Sequence, residues 1–126
     1  MLGMAGVEPL LPAAYCTRHA GALFLFRYNP AETGVTKSAF EAALKAEGVP
    51  VVETYPRPLY KNPVFEKWPY RDTECPVAEE SCSQIVTLPL RFLNAGQDVV
   101  TSSIEAIDKV LQNADQLQSH PANMKA

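Results

Sequence analysis

Residues 51–90 read VVETYPRPLYKNPVFEKWPYRDTECPVAEESCSQIVTLPL. The β-branched and aromatic content of Val51, Val52, Thr54 and Tyr55 predicts a strand over 51–55. Pro56, Pro58, Pro63 and Pro69 then forbid regular structure of any length over 56–74. Pro76 suits the first position of a helix, predicted over 76–83, with Glu79 and Glu80 near its positive end. Ile85, Val86, Thr87 and Leu88 predict a further strand. Regular elements thus bracket a long loop rich in prolines, aromatics and bases, and loops held this way are common places for sites.

Upstream, residues 22–28 (ALFLFRY) predict a strand. Its apolar side chains fall on both alternating faces, so burial on both sides is expected over 23–26. Asn29-Pro30 and Gly34 mark a loop. Thr36 is placed to cap a helix whose Phe40, Ala43 and Leu44 recur at helical spacing. Gly48 stands where a left-handed residue would end that helix, Val49 is positioned to meet Leu44, and Pro50 blocks continuation. Downstream, Val100, Ile104, Ile107, Leu111 and Ala114 step by four and three, predicting a helix over 97–116 with Asp98 in its first turn.

Residues 1–18 have neither period, and Pro9 and Pro12 would interrupt either. They read as an extended lead-in resting on something apolar through Leu10 and Leu11. Residues 118–126 read as a polar tail. Three strands alternating with three helices over 19–117 predict a single α+β domain. It has two layers: a small, mostly antiparallel or mixed sheet with helices packed on it.

A chain of 126 residues with 47% apolar and 20% charged residues is ordinary for one globular domain. Its net charge of −3 gives no general attraction to nucleic acid or to an anionic membrane. The longest apolar run, 20–26, is far short of the ~20 residues of a membrane span. No Lys or Arg precedes Arg18, so a basic secretory n-region is lacking. Three cysteines at irregular spacing make no disulfide framework, which points to a reduced, cytoplasmic setting.

Several constellations contain residue types that carry chemistry. The loop sets Arg57, Lys61, Lys67 and Arg71 among Tyr60, Phe65, Trp68 and Tyr70. That mixture suits an anionic or sugar-like ligand, a neighbouring domain or single-stranded nucleic acid, and equally suits aromatics pegged into a core with solvated bases. Glu66, Asp72 and Glu74 dilute its positive field. Cys16-x-x-His19 with Cys75 and Cys82 offers only one tight pair for zinc, so buried thiols and a hydrogen-bonded histidine are the simpler reading. Adjacent Glu79 and Glu80 diverge by ~100° on a helix and form no carboxylate dyad. Ser81, Ser83, Ser102 and Ser103 lack the strand-turn-helix elbow of a hydrolase nucleophile.

The order of segments resembles the C-terminal domain of the DegT/DnrJ/EryC1/StrS aminotransferases. The resemblance rests on His19-Ala20 before LFLFRY, on KSAFEAALKAEGV (37–49), on Tyr55-Pro56 and Pro58-Leu59-Tyr60, and on CPVAE (75–79) followed by Leu88-Pro89-Leu90. It implies a small domain of an enzyme that uses pyridoxal phosphate to transaminate a keto-sugar or cyclitol. It also implies that Tyr55, Arg57, Leu59 and Tyr60 line the substrate entrance. In that family the cofactor lysine, the acidic partner of the pyridine nitrogen and the stacking aromatic belong to a large N-terminal domain. None of Lys37, Lys45, Lys61, Lys67, Lys109 or Lys125 has that lysine's setting. The expectation is therefore a fragment that binds no cofactor and no metal alone, has no catalytic residue of its own, and partners a large pyridoxal-phosphate domain or a second copy. A stand-alone module binding a sugar-like or anionic ligand or a protein is the alternative.

Overall fold

The central strand, β2 (Leu23–Tyr28), organises the molecule. In the computed structural model, which describes residues 3–18, 23–53, 55–69 and 73–119, β2 lies between two antiparallel partners. On one side β1 (Val7–Pro9) pairs Val7 with Tyr28 and Pro9 with Phe26. On the other β3 (Ile85–Pro89) pairs Arg27 with Ile85 and Leu23 with Pro89. The helices are α1 (Pro30–Thr33), α2 (Lys37–Ala46), α3 (Pro76–Gln84), α4 (Leu90–Leu93), α5 (Gln97–Gln112) and α6 (Ala114–Gln118). Two short 3-10 turns, Leu59–Lys61 and Pro63–Phe65, punctuate the proline-rich loop. The α+β class and the antiparallel sheet are as expected.

One face of the sheet is closed. Phe26 and Tyr28 of β2 and Val86 and Leu88 of β3 are buried there with Phe40 and Leu44 of α2 and Ile107 and Val110 of α5. The Phe40 ring stacks on Tyr28 at 4.1 Å between centroids and meets Phe26 edge-on at 6.5 Å. Tyr28 keeps its polar end satisfied: its hydroxyl donates to the Val35 carbonyl at 2.9 Å and bonds the Thr33 hydroxyl.

The sequence of α2 dictates both of its ends. The Thr36 hydroxyl accepts from the Ala39 N–H. At the far end Val49 N–H donates to Leu44 O at 2.9 Å and Gly48 N–H to Lys45 O at 3.1 Å. These are the two bonds of a Schellman closure, with Gly48 at φ +85°. Leu44 and Val49 are both buried, as the expected pairing requires.

Three expectations need correction. The strand expected over 51–55 is absent: residues 51–53 and Tyr55 are irregular, and Val52 makes a single bond to Thr87 O at 3.0 Å. Pro50 and Pro56 bracket the segment, and neither can donate to a ladder. The third strand comes instead from the lead-in, as β1, where Pro9 ends an edge strand and its missing N–H costs little. Burial on both faces of β2 is also not observed. Phe26 is fully buried, whereas Leu23 on the opposite face is 38% exposed. Finally, the last helix breaks at Asn113, whose side chain donates back to Lys109 O. Its fully buried residues are Ser103, Ala106, Ile107 and Val110; of the expected series, Ile107 is among them, Leu111 and Ala114 pack partly buried against the core, and Val100 and Ile104 are half-buried. Ser103 can be buried because its hydroxyl donates to Val99 O.

Truncating Leu44 to alanine should cost about 2–5 kcal/mol, since a fully buried leucine leaves a cavity. Gly48→Ala should cost about 1 kcal/mol, because open space surrounds the position and only the left-handed backbone resists a Cβ. Urea unfolding followed by circular dichroism measures both, and an unchanged midpoint for Gly48→Ala would contradict the left-handed cap.

Candidate functional site

The open face of β2 forms the floor of a cavity of about 470 Å³. Leu23, Leu25 and Ile85 give it an apolar base, α3 supplies a wall through Ala78 and Cys82, and Tyr55 stands at its rim. Four charged residues, Arg27, Lys37, Glu41 and Glu53, also line it. Lys37, the first residue of α2, spans the gap to α3 and donates to Cys82 O at 3.2 Å. It also faces Glu41 one turn along at 3.7 Å. Burial pushes the Glu41 carboxyl above its usual range; Lys37 and Lys45 oppose that shift, and Glu53 adds to it.

A second cluster joins the proline-rich loop to the start of α3. The Tyr60 hydroxyl donates to Glu79 Oε1 at 2.5 Å, and Lys61 Nζ lies 2.6 Å from Glu79 Oε2. Cys75 N–H donates to the same Tyr60 hydroxyl at 3.1 Å, which serves an α3 N-terminus that has no side-chain cap. One carboxylate thus holds two consecutive loop residues. The Lys61 and Tyr60 bonds hold Glu79 below the usual carboxylate range, while Glu79 raises both Lys61 and the Tyr60 phenol.

The expected substrate contacts do not all converge. Tyr55 is 73% exposed and sits at the cavity rim. Arg57 and Leu59 are exposed along the loop, outside the cavity lining, and Tyr60 turns its hydroxyl to α3. Sequence reasoning missed Lys37 and Glu41, although their i, i+4 spacing on a capped helix was visible. It gave Glu79 only a helix-dipole role. Nothing local links Glu79 to Tyr60, nineteen positions away.

A family model described as the DegT/DnrJ/EryC1/StrS aminotransferase family matches residues 3–107. The chain belongs to this family. Among its relatives, the spore coat polysaccharide biosynthesis protein SpsC of Bacillus subtilis is 28% identical over 99 residues, 78% of this chain and 25% of SpsC. A pleiotropic regulatory protein of Geobacillus stearothermophilus is 32% identical over 54 residues, 43% of this chain and 14% of that protein. The chain therefore spans a quarter or less of the length of these relatives.

DegT-family aminotransferases imply pyridoxal phosphate, which needs a lysine that can act as an amine and a cradle for phosphate. Among the described lysines, Lys61 is ion-paired and raised, Lys109 binds Glu47 at 2.7 Å, and Lys37 is held between Cys82 O and Glu41. Lys45 and Lys67 are exposed to solvent, and Lys125 lies outside the described residues. The longer helices offer no phosphate cradle either. The Thr36 hydroxyl before α2 is already bonded, and α3 and α5 carry Glu79 and Asp98 in their first turns. The described residues do not fit the cofactor. Among them, too, no group of three His, Cys, Asp or Glu is placed to hold a metal; His19 lies outside them. Cys16, Cys75 and Cys82 are free, half-buried thiols. No helix among the described residues is long and apolar enough to cross a membrane.

The loop-to-α3 contact should show in the pH dependence of stability. Glu79 has a depressed folded pKa, so its contribution is complete above the ordinary carboxylate value and is lost as pH falls through the depressed one. Lys61 has a raised folded pKa, so its contribution is complete below the ordinary lysine value and is lost as pH rises through the raised one. Glu79→Gln should therefore lower Tm at neutral pH and make no difference in strong acid. Equal melting at neutral pH would mean that this carboxylate stabilises nothing.

Proposed function

We propose that this chain is the C-terminal small domain of an aminotransferase acting on a keto-sugar or cyclitol. It shapes the substrate entrance, and a separate large domain carries pyridoxal phosphate and the chemistry. The observation that carries this reading is the family match over 3–107 in a chain that spans only a quarter of SpsC, a polysaccharide biosynthesis protein. The poor fit of the described lysines and helix starts to the cofactor supports the division of labour. Tyr55, Arg57, Leu59 and Tyr60 are then the residues to meet substrate. Tyr55 and Leu59 offer exposed apolar surface, Arg57 a solvated base, and the Tyr60 anchor on Glu79 holds the segment against α3.

The test is a graft of residues 55–60 into the matching segment of a full-length family member, with kcat/KM measured over a panel of keto-sugars and keto-cyclitols. The relative preference should shift by about tenfold, the scale of one gained or lost polar contact. An unchanged preference would remove the segment from substrate choice. Separately, the isolated chain supplied with pyridoxal phosphate, an amino donor and these substrates should give no turnover. Turnover by the isolated chain would overturn the assignment of chemistry to another domain.

A further inference from the structure

The cavity on the open face of the sheet holds more hydrogen-bond donors than the protein uses. Arg27 Nε is buried and has no hydrogen-bond partner within the protein. The same guanidinium makes a 3.4 Å ion-pair contact from Nη1 to Glu8, on the neighbouring strand. Lys37 Nζ has three N–H groups and two partners in the protein, Cys82 O at 3.2 Å and the Glu41 carboxylate at 3.7 Å, which leaves one donor over. Both residues line the cavity, whose remaining walls are mostly apolar. Two carboxylates face these cations. Glu53 is exposed and its charge solvated, and burial disfavours the ionised form of Glu41. Gln84 Oε1 is also buried without a partner; it is an acceptor on the adjoining polar cavity, which Arg27 lines as well, so the guanidinium stands between the two cavities.

We propose that this cavity binds a small monocarboxylate with an apolar body. Its carboxylate lies between Arg27 and Lys37, and its body rests on Leu23, Leu25 and Ile85. The two carboxylate oxygens supply an acceptor to the unpartnered Arg27 Nε–H and a further one to the Lys37 ammonium, and bonds of this charge-assisted kind are the stronger ones. The volume is that of ordinary small-molecule sites. An apolar neutral compound would cover the floor but leave the buried Nε–H unpaired. The proposal stands on the cavity alone, and its failure leaves the aminotransferase reading untouched.

Isothermal titration of the full 126-residue chain with octanoate, and with 1-octanol as the neutral match, tests it. Octanoate should bind saturably at one site, about tenfold more tightly than octanol, the value of a charged hydrogen bond. Lys37→Met and Arg27→Met should each erase that preference, while unchanged octanol binding shows that the cavity is still folded. Glu41→Gln should keep or raise octanoate affinity, and Leu25→Trp should abolish binding of both compounds. Equal affinity for acid and alcohol would overturn the proposal, as would a preference for octanoate that survives Lys37→Met or Arg27→Met, or binding of either compound that survives Leu25→Trp.

Discussion

Phe40 stacked on Tyr28 is the contact through which helix and sheet become one body. Tyr28 is buried to its tip, which is permissible only because its hydroxyl finds the Val35 carbonyl and the Thr33 side chain. Those two partners belong to the connection between β2 and α2, so the same residue that fills the core also fixes the turn leading into the helix. Thr36 then starts α2 with its Phe40 and Leu44 facing inward. Gly48 and Val49 stop the helix with Val49 joining the same core. The β2–α2 unit is therefore self-consistent over a short span of chain, and α5 closes over it from a distance.

That arrangement leaves β2 asymmetric. Phe26 and Tyr28 point into the closed layer, whereas Leu23, Leu25 and Arg27 alternate to the other face, where α3, the segment around Val52 and the Lys37–Glu41 turn of α2 line a cavity with them. A sheet with helices on one face exposes its second face, and here that face is apolar at its centre and charged at its margins. The proline-rich loop is tied to the same side by Glu79, which holds Tyr60 and Lys61 at the start of α3. Cavity, loop anchor and rim thus share one helix, and a shift in α3 would reach all of them.

Much of this was legible. α2 with both caps, the start of α3 at Pro76 and the placement of β3 follow from bonds between residues a few positions apart, and such bonds are local properties. β1 was not legible: three residues ending in proline carry no period, and they become a strand only because β2 offers an unpaired edge. The 51–55 segment shows the converse. Its β-branched residues signal a strand, yet with Pro50 and Pro56 at its ends it gains one bond to Thr87 and no ladder. In α5 the stripe was read from apolar spacing alone, which could not register that Ser103 satisfies its own hydroxyl and can face the core. At the candidate site, of Tyr55, Arg57, Leu59 and Tyr60, Tyr55 lines the cavity, Tyr60 is bonded to Glu79, and Arg57 and Leu59 are exposed along the loop. Lys37 and Glu41 were passed over because an i, i+4 ion pair on a helix usually faces water.

By itself, the sequence determined both ends of α2, the start of α3, the α+β character and the resemblance to the aminotransferase family that the family match bears out, since these rest on residue identity and on bonds spanning a few positions. Only the tertiary structure decided which face of β2 is closed, that Glu79 serves the loop as well as its own helix, and that Arg27 and Lys37 line the same cavity. Those outcomes join residues far apart in the chain, and no local pattern records them. They arise when the closing of the Phe40–Tyr28 layer fixes which side chains are left on the opposite face.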